Sequence, residues 1–310
     1  MYALPFLGNR LLPYGSRGFA ERSKTAANPN GKAKEVIHEQ LNAEQHPTIV
    51  IARSDMAGFS SNIIDRIASI RVPHSFFTHF YIVSFSASLF WLHQLYTRGL
   101  ALQWIASFGS TALRPTSGNS MTLGQVWLLW VLLFIQGTRR LVESYAFSKP
   151  SKSTMHVTHW LIGLAFYMVD SIAIWVEGMP TLLAGGVHTS PSAELRTTKL
   201  IVGLCFFVAA SIVQNRAHAR LASLTSYRIP PGKLFQYVLC PHYTAEVVIY
   251  ICFAMLGAPR GSWLNVTMVA ALIFVVSNLG VTAIGTRQWY VDQFGAVKVG
   301  MRARLIPFIW

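Results

Sequence analysis

The chain has 310 residues, of which 52% are hydrophobic and only 12% charged, and its formal net charge is +14. A soluble domain carries about twice that share of charge, so the composition excludes an ordinary water-soluble domain and points to a multi-pass membrane protein. The positive charge does not indicate nucleic acid: it lies in the N-terminal segment and between apolar blocks, and no run interleaves Lys/Arg with aromatics as a single-strand-binding groove does.

Residues 1–71 are polar and weakly patterned. They lack the charged start, apolar core and small-residue cleavage site of a signal peptide. Within them SKTAANPNGKAKE has the composition of a flexible linker, and its basic residues suit an anionic leaflet. From Pro73 onward six apolar blocks approach the length of a bilayer span, at about 76–96, 122–142, 156–176, 198–214, 243–258 and 263–285. The expected fold is therefore all-α: a membrane-embedded helical bundle over 72–310.

Loop charges orient these spans. Arg139, Arg140, Lys149 and Lys152 follow the second block, Arg216, Arg220, Arg228 and Lys233 the fourth, and Arg287, Lys298, Arg302 and Arg304 the sixth. The other side has only Arg98, Arg114, Arg196, Lys199 and Arg260. Twelve against five predicts both termini in the cytosol. The sequon Asn265-Val266-Thr267 falls on the opposite side but abuts the sixth block, too near the membrane for glycosylation. Cys205, Cys240 and Cys252 form no CxxC and read as buried thiols, neither a disulfide framework nor a zinc site.

With that orientation the unusual polar residues gather at one face. Gln136, Arg139, Arg140 and Glu143 end the second block, His156 and His159 begin the third, and Gln214 and His218 leave the fourth. Tyr227, His242 and Glu246 precede or open the fifth, and Arg287 and Tyr290 close the sixth. A site opening to the cytosol accounts for this sorting. Taken singly, the arginines read as snorkelling anchors. His156 and His159 share a helix face, but no second HxxH or carboxylate accompanies them, and no metal is expected. His242 and Glu246, four apart, also share a face. A charged group in hydrocarbon costs about 2.5–3.5 kcal/mol on insertion scales, so this pair is read as facing a polar cavity and holding a ligand. No Gly-x-Gly occurs anywhere, which excludes a GxGxxG turn or a P-loop. A nucleotide would need Arg, His, Tyr and Gln side chains instead.

The stretch YRIPPGKLFQYVLCPHYTAEVVIY, residues 227–250, resembles the signature of the steroid 5α-reductase family. The end RQWYVDQF…R…LIPFIW is similar to that family's basic close. VPHSFFTHFYIVS, QGTRRLVESYAFS and MHVTHWLIGLAFY resemble its dolichol-forming branch, the polyprenol (polyprenal) reductases, and a weaker NRLLPYG stands near the start. The resemblance implies an NADPH-dependent membrane oxidoreductase of the endoplasmic reticulum. It would reduce the α-isoprene double bond of a long polyprenyl lipid to supply dolichol for protein N-glycosylation. By position it assigns cofactor contacts to His242 and Glu246, with Tyr227, Asn278, Arg287 and Tyr290 completing the cavity, and it matches Gln214 and His218 to the branch's Gln-x-x-x-His. Most of this cofactor set lies in 200–310.

There are departures. Steroid-acting members have a Tyr at the position of Gln136, which cannot donate a proton as Tyr can, so Gln136, Glu143 and His159 are the candidate catalytic residues, with Tyr145 or a bound water as further proton donors. The loop 216–227 is short where the family places a cofactor-binding Arg, and Ala296-Val297-Lys298 replaces the usual Tyr-Pro-Lys. The family also implies one more helix at the start, for which residues 1–20 are too short and polar. The rival readings are a steroid enone reductase, an S-adenosylmethionine-dependent methyltransferase of the isoprenylcysteine type, and a non-enzymatic membrane scaffold.

Overall fold

The computed structural model describes residues 69–112, 120–148, 153–184 and 197–306. The expected linker, NRLLPYG and the last four residues lie outside them. Six helices realise the six apolar blocks: α1 (Phe77–Thr97), α3 (Leu123–Phe147), α4 (Val157–Ala173), α6 (Thr197–Ala222), α8 (Pro241–Leu256) and α9 (Val266–Phe294). Four segments, His74–Thr97, Val157–Leu183, Thr198–Ala222 and Val266–Phe294, are long and apolar enough to cross a membrane. Of the other two, α8 is apolar but has only 16 residues, and α3 has the length but carries Arg139, Arg140 and Glu143 in its last turns. The chain is a multi-pass membrane helical protein.

Four shorter helices complete the order: α2 (Leu100–Ala112), α5 (Met179–Leu183), α7 (Lys233–Tyr237) and α10 (Ala296–Val299). At 13 residues α2 is too short for a span, which is why hydropathy alone leaves it among the loops. The fourth block ends near 214 by hydropathy, yet α6 continues to Ala222. Its polar residues find partners on α3 rather than in water, so the helix has no reason to stop where apolarity does.

A two-stranded antiparallel ribbon joins the starts of α1 and α4. β1 (Arg71–Pro73) pairs with β2 (Thr154–His156) in the register Arg71↔His156, Val72↔Met155 and Pro73↔Thr154. Two glycines then let the helices approach closely. A Cβ at Gly137 of α3 would sit 2.8 Å from Ser84 Oγ on α1, and one at Gly163 of α4 would sit 2.7 Å from the Phe80 ring. Both contacts are too short for a side chain, so α1 lies directly against α3 and α4.

At the far end of the bundle the core is aromatic and aliphatic, with Trp91 against Trp175 at 4.9 Å and Phe207 against Phe253 at 5.8 Å. Two buried amides lock this end. Thr122 and Gln125 form the capping box that the T-x-x-Q spacing allows, and Gln125 Nε2 donates to the carbonyls of Leu256 (2.9 Å) and Ala258 (2.8 Å). Asn265 caps α9, accepting from Met268 N at 2.8 Å and donating to Gly257 O at 3.1 Å. It is fully buried, so the sequon is part of the fold and offers no acceptor for a glycan.

Candidate active site

The other end of the bundle is built differently. On α3, Gln136, Arg139, Arg140 and Glu143 follow the i, i+3, i+4, i+7 spacing of one helical face. On α6, Gln214 and His218 are four apart, and on α8 His242, Glu246 and Tyr250 repeat every four residues, so each helix presents a single polar stripe. The three stripes meet.

Their contacts form one continuous network. Glu246 Oε2 accepts from Gln136 Nε2 (3.3 Å) and from Gln214 Nε2. Arg139 donates to both amide oxygens, Gln136 Oε1 (2.6 Å) and Gln214 Oε1. Arg139 and Arg140 both pair with Glu143, which also accepts from Asn215 Nδ2 at 2.8 Å. The Nδ1 of His218 lies 2.9 Å from Glu143 Oε2 and 2.7 Å from Arg140 Nη1; protonated it serves the carboxylate, and unprotonated it accepts from the guanidinium. Arg140 Nη2 then reaches Tyr81 of α1, donating to its hydroxyl at 2.5 Å. A buried carboxylate is tolerated only when paired and hydrogen-bonded, and Glu143 meets that condition with four polar partners. Arg139 and Arg140, read from sequence as anchors, are therefore structural members of the network.

The network borders a cavity of about 950 Å³, within the range that holds a cofactor-sized ligand. Its wall includes Glu143, His159, Gln214, His218, His242, Glu246 and Asn278, and four tyrosines, Tyr81, Tyr167, Tyr243 and Tyr250. Apolar wall comes from Phe80, Ile162, Phe166, Phe274 and Val275. Among the residues of the cavity wall, Nδ1 of His242 is buried without a hydrogen-bond partner. An orphan of this kind in a cavity wall is explained by a group that binds there.

Of the eleven residues singled out from sequence, seven line this cavity, and Gln136 stands behind Gln214 and Glu246. The other three lie in a C-terminal layer beside the start of α8. Leu239 N bonds Ala303 O and Ala303 N bonds Tyr237 O, both at 2.8 Å. In that layer Tyr227 packs edge-on to Trp289 at 5.5 Å, Tyr290 is buried with Leu239, Cys240 and Leu305, and Arg287 donates to Gly300 O at 3.4 Å. Sequence reasoning missed Tyr81, Tyr167, Asn215 and the buried Asp170–Tyr250 pair, whose hydroxyl–carboxyl contact is 3.0 Å. An aromatic residue inside an apolar helix carries no mark separating wall from core. Asp170 did carry one: a carboxyl in the middle of an apolar block.

Comparison with known proteins gives a consistent set. Residues 153–310 match the family model described as 3-oxo-5-alpha-steroid 4-dehydrogenase. The chain is 27% identical over 290 residues to polyprenal reductase 1 of Oryza sativa subsp. indica, covering 78% of this chain and 80% of that protein. It is 27% identical over 254 residues to the polyprenal reductase of Saccharomyces cerevisiae, covering 80% and 79%. To that of Xenopus tropicalis it is 28% identical over 256 residues, covering 77% and 80%.

Proposed function

The chain belongs to the 3-oxo-5-alpha-steroid 4-dehydrogenase family, and from that membership we propose that it is a polyprenal reductase, saturating the α-isoprene double bond with NADPH on the path to dolichol. The observation that carries the reading is the joining, in one cavity, of a hydrogen-bonding end centred on Glu246 to an apolar wall. The relatives named as polyprenal reductases favour this substrate over a steroid. Family membership leaves the methyltransferase and scaffold alternatives without support.

NADPH would supply the hydride, which adds readily to a carbon–carbon double bond only when a conjugated carbonyl takes the charge. An unsaturated aldehyde offers this and an allylic alcohol does not. The residues present fit the cofactor: Glu246 can accept from a carboxamide, and the orphan His242 Nδ1 awaits a polar partner. Gln136 and Gln214 would orient Glu246, with Arg139 holding both amides in turn. Tyr227, Arg287 and Tyr290, which stand apart from the cavity, would belong to the adenine-phosphate end of an extended cofactor. Hydrogen bonds to the aldehyde oxygen would stabilise the charge that develops there.

A cavity of this size holds a reacting headgroup and cofactor but not a long isoprenoid chain. Ile162 of α4 and Phe274 of α9 both line it and are 48% and 37% exposed. The tail would leave between these two helices into lipid. The endoplasmic reticulum membrane is the location this pathway implies.

The test is turnover by the detergent-purified chain with NADPH, comparing a short polyprenal with a polyprenol and a steroid enone. The reading expects the polyprenal to be reduced far faster than the others. Equal or faster reduction of the enone would transfer the chain to steroid chemistry, and direct reduction of polyprenol free of aldehyde would overturn the assigned step.

A further inference from the structure

Reduction of a conjugated aldehyde ends with a proton on its α-carbon, and the sequence leaves the donor open among Glu143, Tyr145, His159 and water. The structure narrows that choice. Glu143 is surrounded by Arg139, Arg140, Asn215 and His218, so as the carboxylate they require it holds no proton. Tyr145 is 67% exposed and is absent from the cavity wall. His159 lines the wall from the first turn of α4 and is the rival donor, which His159→Phe tests by the same stereochemical readout. Among the tyrosines of the wall, Tyr243 packs against the C-terminal layer beside His242, and the Tyr250 hydroxyl donates to Asp170 Oδ2 at 3.0 Å, which engages its proton.

Tyr81 has the opposite arrangement. Its oxygen accepts from Arg140 Nη2 at 2.5 Å, and the guanidinium carbon lies 4.7 Å from the ring centroid. The hydroxyl hydrogen therefore points away from Arg140, and no acceptor for it is found among the described residues. The side chain is buried, lines the cavity, and is linked through Arg140 to the network that contains Glu246. Tyr167, edge-on to Tyr81 at 5.9 Å, lacks any such hydrogen bond from a cation. Gly137 and Gly163 hold α1 in the position this requires.

We propose that Tyr81 is the acid that protonates the substrate α-carbon, with Arg140 as the counter-charge for the oxygen it leaves behind. This rests on the polyprenal reductase reading. The cofactor would supply the hydride, and with it two electrons, to the β-carbon, and the double-bond pair would move to give the enolate. The Tyr81 O–H bond then breaks, its proton forms the new α-carbon–hydrogen bond, and the phenolate stays opposite the Arg140 guanidinium until water reprotonates it. Positioned proton transfer of this kind contributes roughly 10²–10⁴-fold.

The experiment uses the full chain in detergent with NADPH and a short polyprenal in deuterated water. The wild type is expected to place deuterium at one of the two α-positions. Tyr81→Phe is expected to keep its NADPH dissociation constant and KM, to lose about 100-fold in kcat, and to give residual product labelled without stereochemical preference. Tyr96→Phe, at the exposed end of the same helix and outside the cavity wall, should keep both rate and stereochemistry. Should Tyr81→Phe bind NADPH poorly, a fluorinated tyrosine at position 81 preserves the shape and makes the phenol more acidic; an unchanged kcat there overturns the proposal. Wild-type rate or unchanged stereochemistry in Tyr81→Phe overturns it and leaves the reductase reading intact. Wild-type protein that binds NADPH yet reduces no polyprenal removes the reading and this inference together.

Discussion

The two ends of the bundle both bury polar side chains, and they do so in opposite ways. At the far end Gln125 and Asn265 bond almost entirely to main-chain atoms, fastening the end of α8 to the starts of α3 and α9. At the cavity end Gln136, Arg139, Arg140, Glu143, Gln214 and Glu246 bond to one another, and His242 keeps an unused nitrogen. Polar groups spent on backbone serve the fold. Polar groups held by other side chains beside an open cavity, with His242 Nδ1 unpartnered, fit the ligand-binding role proposed for that end.

Substitutions should separate the two ends. The largest expected effect is at Glu143, whose replacement by Leu leaves Arg139 and Arg140 uncompensated against each other. Breaking a buried pair in this way costs about 3–5 kcal/mol, so Glu143→Leu should both lower the unfolding midpoint in a denaturant titration and abolish turnover. Next comes Glu246→Gln, expected to lose about 10²-fold in kcat/KM, or about 2.7 kcal/mol, with an unfolding midpoint near wild type, because a Gln carbonyl still accepts one of the amide bonds.

Gln125→Ala should show the reverse pattern. It strands the carbonyls of Leu256 and Ala258 at a cost of about 1–3 kcal/mol, while kcat per folded molecule stays unchanged. A comparable effect is expected for Asn265→Ala, which removes a cap worth about 1 kcal/mol and strands the buried Gly257 carbonyl, and the wild-type protein expressed in a glycosylating host should carry no glycan at this position by mass spectrometry.

The apolar blocks made the six main helices legible, because hydrocarbon demands long runs and every backbone group satisfied within them. What the runs could not reveal depended on tertiary partners. The last two turns of α6 look like an exit from the membrane until Gln214, Asn215 and His218 are seen bonding to α3 and α8. The β1–β2 ribbon is three residues per strand, with no alternation long enough to read. At the site, His242 and Glu246 were legible because their charge and spacing are costly in an apolar run. Arg140 was misread, since an arginine at a helix end has an ordinary explanation, and Tyr81 was invisible among the aromatics of FFTHFY.

The most direct measurement is NADPH-dependent turnover of a short polyprenal by wild type, Glu246→Gln and Gln125→Ala, each normalised to its folded fraction. The account predicts wild-type turnover, its loss in Glu246→Gln, and its retention in Gln125→Ala. Equal turnover in wild type and Glu246→Gln would contradict it, because the polar network at the cavity would then be holding the fold together and nothing more.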